Sequence, residues 1–302
     1  MLLDTPSLYF RAFHGVPESV RAPDGAPVNA VRGLLDFLAR LIRDHRPTRM
    51  VAAFDADWRP PWRVAAIGSY KSHRLSPEGG ETVPDTLSPQ VPVIEEVLDA
   101  VGLARIGVAG YEADDVIGTL AVAARVPVDI VTGDRDLFQL VRDDPVGARS
   151  PAAVRVLYTA ARGVGRCEVV DEGYVAARYG IPGRAYADFA LLRGDPSDGL
   201  PGVPGIGEKS AAALVNRFGT VAAAMAALDR GEDVPFAGKL AAARDYLSRA
   251  PVVVRVVTDV PLPVYDDALP AAPRDPTRLV TLADRWALDS ALNRLLAALA
   301  AT

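Results

Sequence analysis

Short apolar runs alternate with longer segments of helical periodicity along the first 160 residues of the chain. Apolar runs typical of buried strands cover 1–3, 50–54, 128–132 and 154–158. Segments that repeat their apolar residues as helices do cover 30–45, 91–102 and 112–125. Strands and helices in alternation predict an α/β fold with a mostly parallel central sheet flanked by helices.

Acidic residues follow three of these strands at the point where each strand ends. Asp4 follows the first run and Asp55 the second, while Asp134 and Asp136 follow the third. Aspartate is common in turns because its side chain bonds nearby backbone N–H groups, and this explanation suffices for one strand. In open parallel sheets, however, ligands gather at the carboxyl ends of the strands. Three such strand ends favour a shared acidic pocket.

A further acidic group lies in GYEADDVIG, residues 110–118, directly ahead of a predicted helix. Glu112, Asp114 and Asp115 suit a helix N-terminus, where unpaired N–H groups and the helix dipole favour carboxylates. Three acids exceed what a cap needs, and ionised carboxylates held together repel one another unless a cation lies among them. Taken alone, the stretch is more typical of a cap than of a metal site, and the rest of the chain has to decide. If a metal binds here, we expect Asp114, of these three acids, to contact it directly.

The composition narrows the class of protein. A chain of 302 residues, 50% of them hydrophobic, can bury a sizeable core. Its single cysteine, Cys167, excludes an intramolecular disulfide, and its histidines, His14, His45 and His73, are too widely spaced to suggest a zinc cluster. The sequence has neither a signal peptide nor an apolar run long enough to span a bilayer, so we expect a cytoplasmic protein with no membrane partner.

Residues 56–92 interleave basic and aromatic side chains and then become rich in Pro, Gly and Thr. Connections of this length inside compact domains are usually functional or disordered, and we interpret this one as a mobile excursion. Its composition suits phosphate contacts and base stacking. The residues concerned are Trp58, Arg59, Trp62, Arg63, Tyr70, Lys71, His73 and Arg74. A solvated loop, with the tryptophans packed beneath it, is the alternative.

The composition changes again near residue 181, where two predicted helices flank a hinge rich in Gly and Pro. This hinge carries Asp195 and Asp198 and continues into GVPGIGEKSA, residues 202–211. The pattern is typical of a helix-hairpin-helix, in which glycines let the backbone approach a phosphate and the next helix presents its N–H groups. The candidate phosphate-binding residues are Gly205, Gly207 and Lys209. An ordinary glycine turn between helices is the alternative.

Six segments occur in the order in which they occur in one known family. They are LLDTPSLYFRAFHG, VAAFDA, GSYKSHR, GYEADDVIG, TGDRDLFQLV and LLRGDPSDGLPGVPGIGEKSA. With these motifs the chain resembles the bacterial 5′ nucleases, relatives of flap endonucleases that form the amino-terminal domain of many bacterial DNA polymerase I enzymes. The resemblance extends to about residue 260, and since no polymerase follows, the chain looks like a stand-alone nuclease.

The resemblance implies a PIN-like 5′ nuclease fold with a helical arch and a helix-hairpin-helix (H3TH) DNA-binding subdomain. Residues 1–180 would form the nuclease core, including the arch in 56–92. Residues 181–260 would form the H3TH subdomain, which holds duplex DNA, and residues 261–302 a C-terminal packing segment.

The resemblance also implies the roles of individual residues. The metal site would consist of Asp4, Asp55, Glu112, Asp114, Asp115, Asp134, Asp136, Asp195 and Asp198. It would bind two or more Mg²⁺ or Mn²⁺ ions, which are hard cations held by carboxylates. Lys71 and Arg74 would be catalytic because they offset charge on the nonbridging phosphate oxygens. DNA contacts are implied for Tyr70, Lys71, Arg74, Gly205, Gly207 and Lys209, and K⁺ binding through backbone carbonyls for the hairpin.

These nine acids resolve a conflict in the net charge. The chain has 33 basic and 38 acidic residues, and its charge of −5 by itself argues against a nucleic-acid partner. Setting the nine aside leaves 29 acids, so the remaining charge is about +4 and DNA is an acceptable partner. Lys71 and Lys209, two of only three lysines, fall within the motifs. Lys239 is either a third phosphate contact or a residue of a helix surface, and we favour the surface.

Two positions depart from the family pattern. Thr5 replaces the glycine that usually follows the first acid, which could alter the backbone near Asp4. Gly199 replaces the asparagine that usually follows the last acid, which could loosen the turn that aims Asp198.

We predict a metal-dependent, structure-specific 5′ nuclease of DNA replication and repair that acts as a monomer. As a 5′-flap endonuclease and 5′-3′ exonuclease it would cut flap, nicked or gapped duplexes near junctions of single and double strand. A PIN-like ribonuclease shares the acidic α/β pocket, but the hairpin, the basic excursion and the hinge acids weigh against it. A catalytically silent DNA-structure-binding protein, with the acids serving as caps and turns, is a third possibility.

Overall fold

The computed structural model describes residues 1–143 and 152–302. Its strands are β1 (Leu2–Asp4), β2 (Val51–Ala53), β3 (Ala104–Ile106), β4 (Val128–Thr132), β5 (Val154–Tyr158) and β6 (Glu168–Val170). Its helices are α1 (Thr5–Gly15), α2 (Asn29–His45), α3 (Pro61–Ala66), α4 (Gln90–Val101), α5 (Ala113–Ala123), α6 (Glu172–Tyr179), α7 (Tyr186–Arg193), α8 (Glu208–Phe218), α9 (Val221–Asp229), α10 (Ala237–Ala242), α11 (Arg244–Arg249), α12 (Pro251–Val254), α13 (Pro276–Trp286) and α14 (Asp289–Ala300).

The strands form one sheet in the order β3-β2-β1-β4-β5-β6. All neighbouring strands run parallel except β6, which pairs antiparallel with β5 at the sheet edge. The predicted α/β fold with a mostly parallel sheet is confirmed. The sequence pattern did not predict β3 and β6, because each has three residues and the middle one, Arg105 or Val169, is exposed.

Side chains that alternate along each strand divide the core into two layers. Leu2 and Ile130 belong to the layer that contains α5 and the helices from α6 to α12. Leu3 and Val131 belong to the opposite layer, which contains α1, α2, α4, α13 and α14. Because the central strands are buried on both faces, their sequences read as continuous apolar runs.

Helices after residue 180 share their core with the sheet. Phe138, which follows β4, packs against Tyr186 at a ring centroid distance of 5.4 Å, and Tyr186 packs against Phe189 of α7 at 5.8 Å. On the opposite face, Leu292 and Leu295 of α14 are buried with the residues of α2. One continuous core therefore crosses residue 180, and the division of the chain at residues 180 and 260 stays a prediction.

Residues 56–92 are only partly an excursion. Helix α3 and the residues that follow it carry Arg63, Ile67 and Tyr70, all of which are buried. Residues 76–85 lie largely at the surface. The expected mobile excursion is therefore wrong for the first half of this stretch, because its buried side chains anchor it to the sheet edge.

Within residues 1–143 and 152–302, no single helix is long and apolar enough to cross a membrane. Helices α8 and α9 reach such a length and composition only as a pair, which is bent by 73°.

Candidate metal centre

The carboxyl ends of β2, β1 and β4 lie side by side because these three parallel strands are neighbours in the sheet. Asp4 is the last residue of β1, Asp55 lies two residues beyond β2, and Asp134 and Asp136 follow β4. Asp55 and Asp134 both lie near enough for their charges to raise the pKa of Asp4. The structure thus brings the predicted strand-end acids to one edge of the sheet.

Asp4 is held by groups from two elements. Its Oδ1 accepts the Ser7 N–H of α1 (3.2 Å), and its Oδ2 accepts the Thr132 hydroxyl at the end of β4 (2.5 Å). Burial is the main cause that raises the pKa of Asp4 to about 7, against the lowering effect of these hydrogen bonds. Asp4 is therefore a carboxyl whose ionisation the fold alone does not favour at neutral pH.

Asp114 and Asp136 are two acids whose charged form is strongly disfavoured by their surroundings. Burial raises the pKa of both carboxyls well above the usual range, and the charge of Asp134 raises both further. In the described part of the chain, the Oδ1 atom of Asp136 is buried without a hydrogen-bond partner. Because a buried carboxylate without compensation is costly, these two side chains suit a bound cation.

The other two acids of GYEADDVIG, Glu112 and Asp115, already share a buried cation. Arg63 from α3 donates to Glu112 and, at 2.6 Å, to Asp115 Oδ1. Asp115 also accepts the N–H groups of Glu112 (3.2 Å) and Val257 (2.8 Å). These two carboxylates close the N-terminus of α5 and bind Arg63. Asp114, which lies between them in sequence, takes part in none of these contacts.

Glu112 has two further partners, Tyr70 and Lys71. The Tyr70 hydroxyl donates to Glu112 Oε2 (2.8 Å), and the Lys71 ammonium donates to Glu112 Oε1. Although burial lowers the pKa of Lys71, the Glu112 carboxylate raises it, and the net result lies well above the usual range. Lys71 therefore remains charged beside the acids.

The hinge after α7 brings Asp198 to the same place. Arg74 donates to Asp198 Oδ1 (3.1 Å), and the Lys71 backbone N–H donates to the Asp198 carbonyl (2.9 Å). Burial raises the pKa of Asp198 to about 6; the Lys71 charge lowers it and the Asp134 charge raises it. Asp198 therefore lies directly beside Lys71 and Arg74, although it is 124 positions from Arg74 in the sequence.

Arg193 connects the remaining hinge acid to the helix-hairpin-helix. Its guanidinium lies 3.6 Å from the Asp195 carboxylate and 3.8 Å from that of Glu208, the first residue of α8. At the hairpin, Gly205 has a φ of +76°, and no side-chain hydrogen bond caps α8 at Gly207. The N-terminal N–H groups of α8 therefore suit an anionic ligand.

Two family models match the chain. Residues 1–180 match the model described as 5′-3′ exonuclease, N-terminal resolvase-like domain, and residues 181–277 match the model described as 5′-3′ exonuclease, C-terminal SAM fold. The chain belongs to the 5′-3′ exonuclease family. The two matched ranges together include the sheet edge, the hinge and the hairpin.

Relatives named 5′-3′ exonuclease are similar to the chain over its whole length. One from Streptomyces coelicolor is 61% identical and covers 100% of both chains. One from Mycobacterium tuberculosis is 50% identical over 99% of this chain and 97% of that protein. DNA polymerase I from Mycobacterium bovis is 38% identical over 100% of this chain, which matches 32% of the polymerase.

Two solved structures have this fold at low sequence identity to this 5′-3′ exonuclease family member. The T5 D15 protein, co-crystallized with metal ions, has a TM-score of 0.66 at 17% identity, over 99% of this chain and 98% of that one. Human GEN1, in complex with Holliday junction DNA, has a TM-score of 0.59 at 16% identity, over 98% of this chain and 70% of that one. These similarities establish the fold.

The nine predicted acids of this family member lie at the strand ends, the start of α5 and the hinge, but they are not arranged as a ready metal site. Within residues 1–143 and 152–302, no group of three or more His, Cys, Asp or Glu side chains is placed to hold a metal ion. Arg63, Lys71 and Arg74 instead form ion pairs with three of these acids, Glu112, Asp115 and Asp198. Their role as metal ligands stays a prediction.

The structure contradicts two expectations for residues 56–92. The sequence predicts that Tyr70 contacts DNA and that Arg63 belongs to a phosphate-binding cluster. Only 3% of Tyr70 and 2% of Arg63 is exposed, and both donate to Glu112. The sequence around Tyr70 and Arg63 could not reveal these buried contacts, because their common acceptor, Glu112, lies more than 40 positions away.

The two departures from the family pattern also have clear structural outcomes. Gly199 has a φ of +72°, and a Cβ there would lie 2.3 Å from the Ser69 carbonyl oxygen. The Ser69 hydroxyl donates to the Gly199 carbonyl (2.9 Å). The expected loosening is therefore wrong, since this glycine lets the hinge close against the residues beside Lys71. Thr5 is buried as the first residue of α1, and its φ is negative.

Arg11 is a candidate site residue that the sequence analysis missed. Its guanidinium lies beside Gly133, where an added Cβ would be 3.7 Å from Nη2, and its Nε is buried without a hydrogen-bond partner in the described structure. Arg11 follows Asp4 by seven positions, which places both residues on one side of the start of α1. That spacing is the signal that could have revealed it.

We expect Gly199→Ala to lower the free energy of unfolding by about 3 kcal/mol, because a left-handed alanine is strained and its Cβ overlaps the Ser69 carbonyl. Gly180→Ala is the matched control, since Gly180 has nearly the same left-handed conformation (φ +70°, ψ 23°) with nothing within 4 Å of an added Cβ. Its expected loss is about 1 kcal/mol. Urea unfolding measures both losses, and equal losses would contradict the close approach.

The raised pKa values predict a pH-dependent stability. Asp4 and Asp198, with pKa values of about 7 and about 6, bind protons more tightly in the folded than in the unfolded chain. Their contribution to stability is therefore present below about pH 4 and is lost as the pH rises to about 7. In chelator, Asp4→Asn/Asp198→Asn should gain at least about 2 °C in Tm relative to wild type between pH 5 and pH 8. A difference in Tm that is the same at both pH values would refute this.

Proposed function

We propose that the chain is a metal-dependent, structure-specific 5′ nuclease that hydrolyses DNA phosphodiesters near junctions of single and double strand. The observation that carries the proposal is the group of carboxyls at the carboxyl ends of neighbouring strands and at the start of α5, above all Asp136 and Asp114, whose pKa values are raised by burial and by neighbouring acids. Membership of the 5′-3′ exonuclease family supports it. Cleavage of 5′ flaps and exonucleolytic removal of nucleotides are two modes of the same site.

Mg²⁺ or Mn²⁺ fits this set of donors. The donors are carboxylate oxygens, which these hard ions prefer, and the buried Asp136 Oδ1 lacks any partner within the described residues. The residues that would hold the ions are Asp4, Asp55, Asp114, Asp134, Asp136, Asp195 and Asp198. Two such ions, when bound, would supply an activated water for the attack and would stabilise the leaving oxygen. Glu112 and Asp115 support the site through Arg63 and the start of α5.

Lys71 and Arg74 are proposed to act on the scissile phosphate. Each is a cation held against a site acid, Lys71 against Glu112 and Arg74 against Asp198. Both basic side chains lie close to the carboxylates. The nonbridging oxygens of a phosphate bound among them would therefore be near positive charge. Tyr70 and Arg63 fix the Glu112 carboxylate, which in turn positions Lys71.

Duplex DNA is proposed to bind at the hairpin. Gly205 and Gly207 allow a phosphate to approach the uncapped N-terminus of α8, and Lys209 lies in its first turn. Arg193, between Asp195 and Glu208, ties the hairpin to the acidic site. This link sets a fixed separation between the bound duplex and the cleaved phosphate, which is the requirement for recognising a junction.

The decisive experiment is cleavage of end-labelled 5′-flap, nicked duplex, single-stranded DNA and RNA in Mg²⁺, Mn²⁺ or chelator. We expect cleavage of flap and nicked DNA that chelator abolishes, and its loss in Asp134→Ala/Asp136→Ala. Asp259→Ala/Asp284→Ala, which removes two exposed acids, is the matched control and should cleave normally. Preferred cleavage of RNA would indicate a ribonuclease, and unchanged cleavage in the first double variant would indicate that these acids are only caps and turns.

Lys71→Ala and Lys209→Ala should have opposite effects on chemistry and binding. Loss of Lys71 should slow single-turnover cleavage on the order of 10²-fold with little change in Kd, because its charge acts at the scissile phosphate. Loss of Lys209 should weaken duplex binding and lower the slope of log K against log salt concentration by about 1. Cleavage rates at saturating DNA and anisotropy titrations in chelator separate the two, and the reverse pattern would show that the roles are exchanged.

A further inference from the structure

Lys239 lies across the hairpin turn, residues 202–208, although it belongs to α10. Its ammonium donates to the Gly205 carbonyl (2.7 Å). A Cβ on Gly205 would lie 2.6 Å from Nζ, 3.2 Å from Cε and 3.7 Å from Cδ of this lysine. The end of the side chain therefore runs along the turn, and only glycine leaves room for it. Lys239 is exposed on the surface of α10, as expected from the sequence, and its ammonium also contacts the turn.

Phe236 helps to hold the ammonium in this position. Its ring centroid lies 5.4 Å from Lys239 Nζ, within the range of a cation–π contact. The Lys239 N–H donates to the Phe236 carbonyl (2.8 Å), which fixes the start of the lysine relative to the ring. Phe236 itself has a φ of +59°, a conformation that is unusual for a bulky residue. The charge of Lys239 is thus held by contacts on both sides.

The hairpin turn contains one group that attracts anions and one that attracts cations. The uncapped N-terminus of α8, an eleven-residue helix, attracts an anion such as a DNA phosphate. The Gly205 carbonyl, as an acceptor, attracts a cation. A cation held at this carbonyl would lie next to a phosphate bound at the start of α8 and would strengthen its binding.

Resemblance to the family implies K⁺ as that cation, bound through backbone carbonyls of the hairpin. In this chain the Gly205 carbonyl already accepts a hydrogen bond from an ammonium. A K⁺ ion at the same oxygen would lie within a few Å of a like charge, which would repel it. The turn, with Lys239 in place, does not fit K⁺ at this carbonyl.

We propose that the Lys239 ammonium replaces the monovalent cation of the hairpin. Lysine is a compact point charge with three donors, so one donor can hold the Gly205 carbonyl while the others reach a phosphate oxygen or water. Lys239 is then a positioning residue that makes duplex binding independent of K⁺. The inference rests on the proposed function only in that the bound anion is taken to be a phosphate of duplex DNA.

The test compares duplex affinity in KCl and LiCl at equal ionic strength, in chelator, so that no cleavage occurs. Wild type should change its Kd by less than about 2-fold between the two salts, whereas Lys239→Ala should bind about 10-fold more weakly in LiCl and recover in KCl. Arg217→Ala is the matched control, because it removes one positive charge of α8 about 15 Å along the helix from Gly207. It should show no preference between the salts.

An equal preference for K⁺ in wild type and Lys239→Ala would overturn the proposal. A second readout needs no DNA: crystals soaked in Rb⁺ should show an anomalous peak at the Gly205 carbonyl in Lys239→Ala but not in wild type. The same peak in both proteins would also overturn it. If neither protein binds duplex DNA, the proposed function fails, and the Rb⁺ peaks still decide whether the lysine occupies the cation position.

Discussion

Repulsion among buried carboxylates is the constraint on which the surroundings of the sheet edge depend. Burial raises the pKa of Asp4, Asp114 and Asp136, and the charge of Asp134 raises all three further. Arg63 compensates Glu112 and Asp115 from within the core. A buried ion pair of this kind adds little net stability, but losing one partner would leave an uncompensated charge. The arginine therefore fixes the geometry of the acids.

The same cations connect segments that are distant along the chain. Lys71 and Arg74 link the first half of 56–92 to α5 and to the hinge, and Gly199 permits the hinge to approach within contact distance of Ser69. Through Arg193 the hinge also touches the start of α8. The acidic site, the basic residues Lys71 and Arg74 and the hairpin are therefore parts of one connected arrangement.

The successes and failures of the sequence predictions have separate physical causes. Strand-end acids such as Asp4 and Asp55 could be placed together because neighbouring parallel strands end at the same edge of a sheet. Tyr70 was misplaced because an aromatic residue in a basic segment suits either DNA or the core, and only the position of Glu112 decides between them. Gly199 was misjudged because flexibility is a local property, whereas the close approach of Ser69 is not.

The amino-acid sequence alone determined the central strands, the helices around them, the set of acids and the resemblance to 5′ nucleases, since periodicity and motifs are properties of short segments. Only the tertiary structure decided which charges meet. Arg63 meets Glu112 across 49 positions, Ser69 meets Gly199 across 130, and Lys239 meets the Gly205 carbonyl across 34. Such partners are chosen by the packing of whole elements, because a buried charge takes the nearest opposite charge or dipole in space, wherever it lies along the chain.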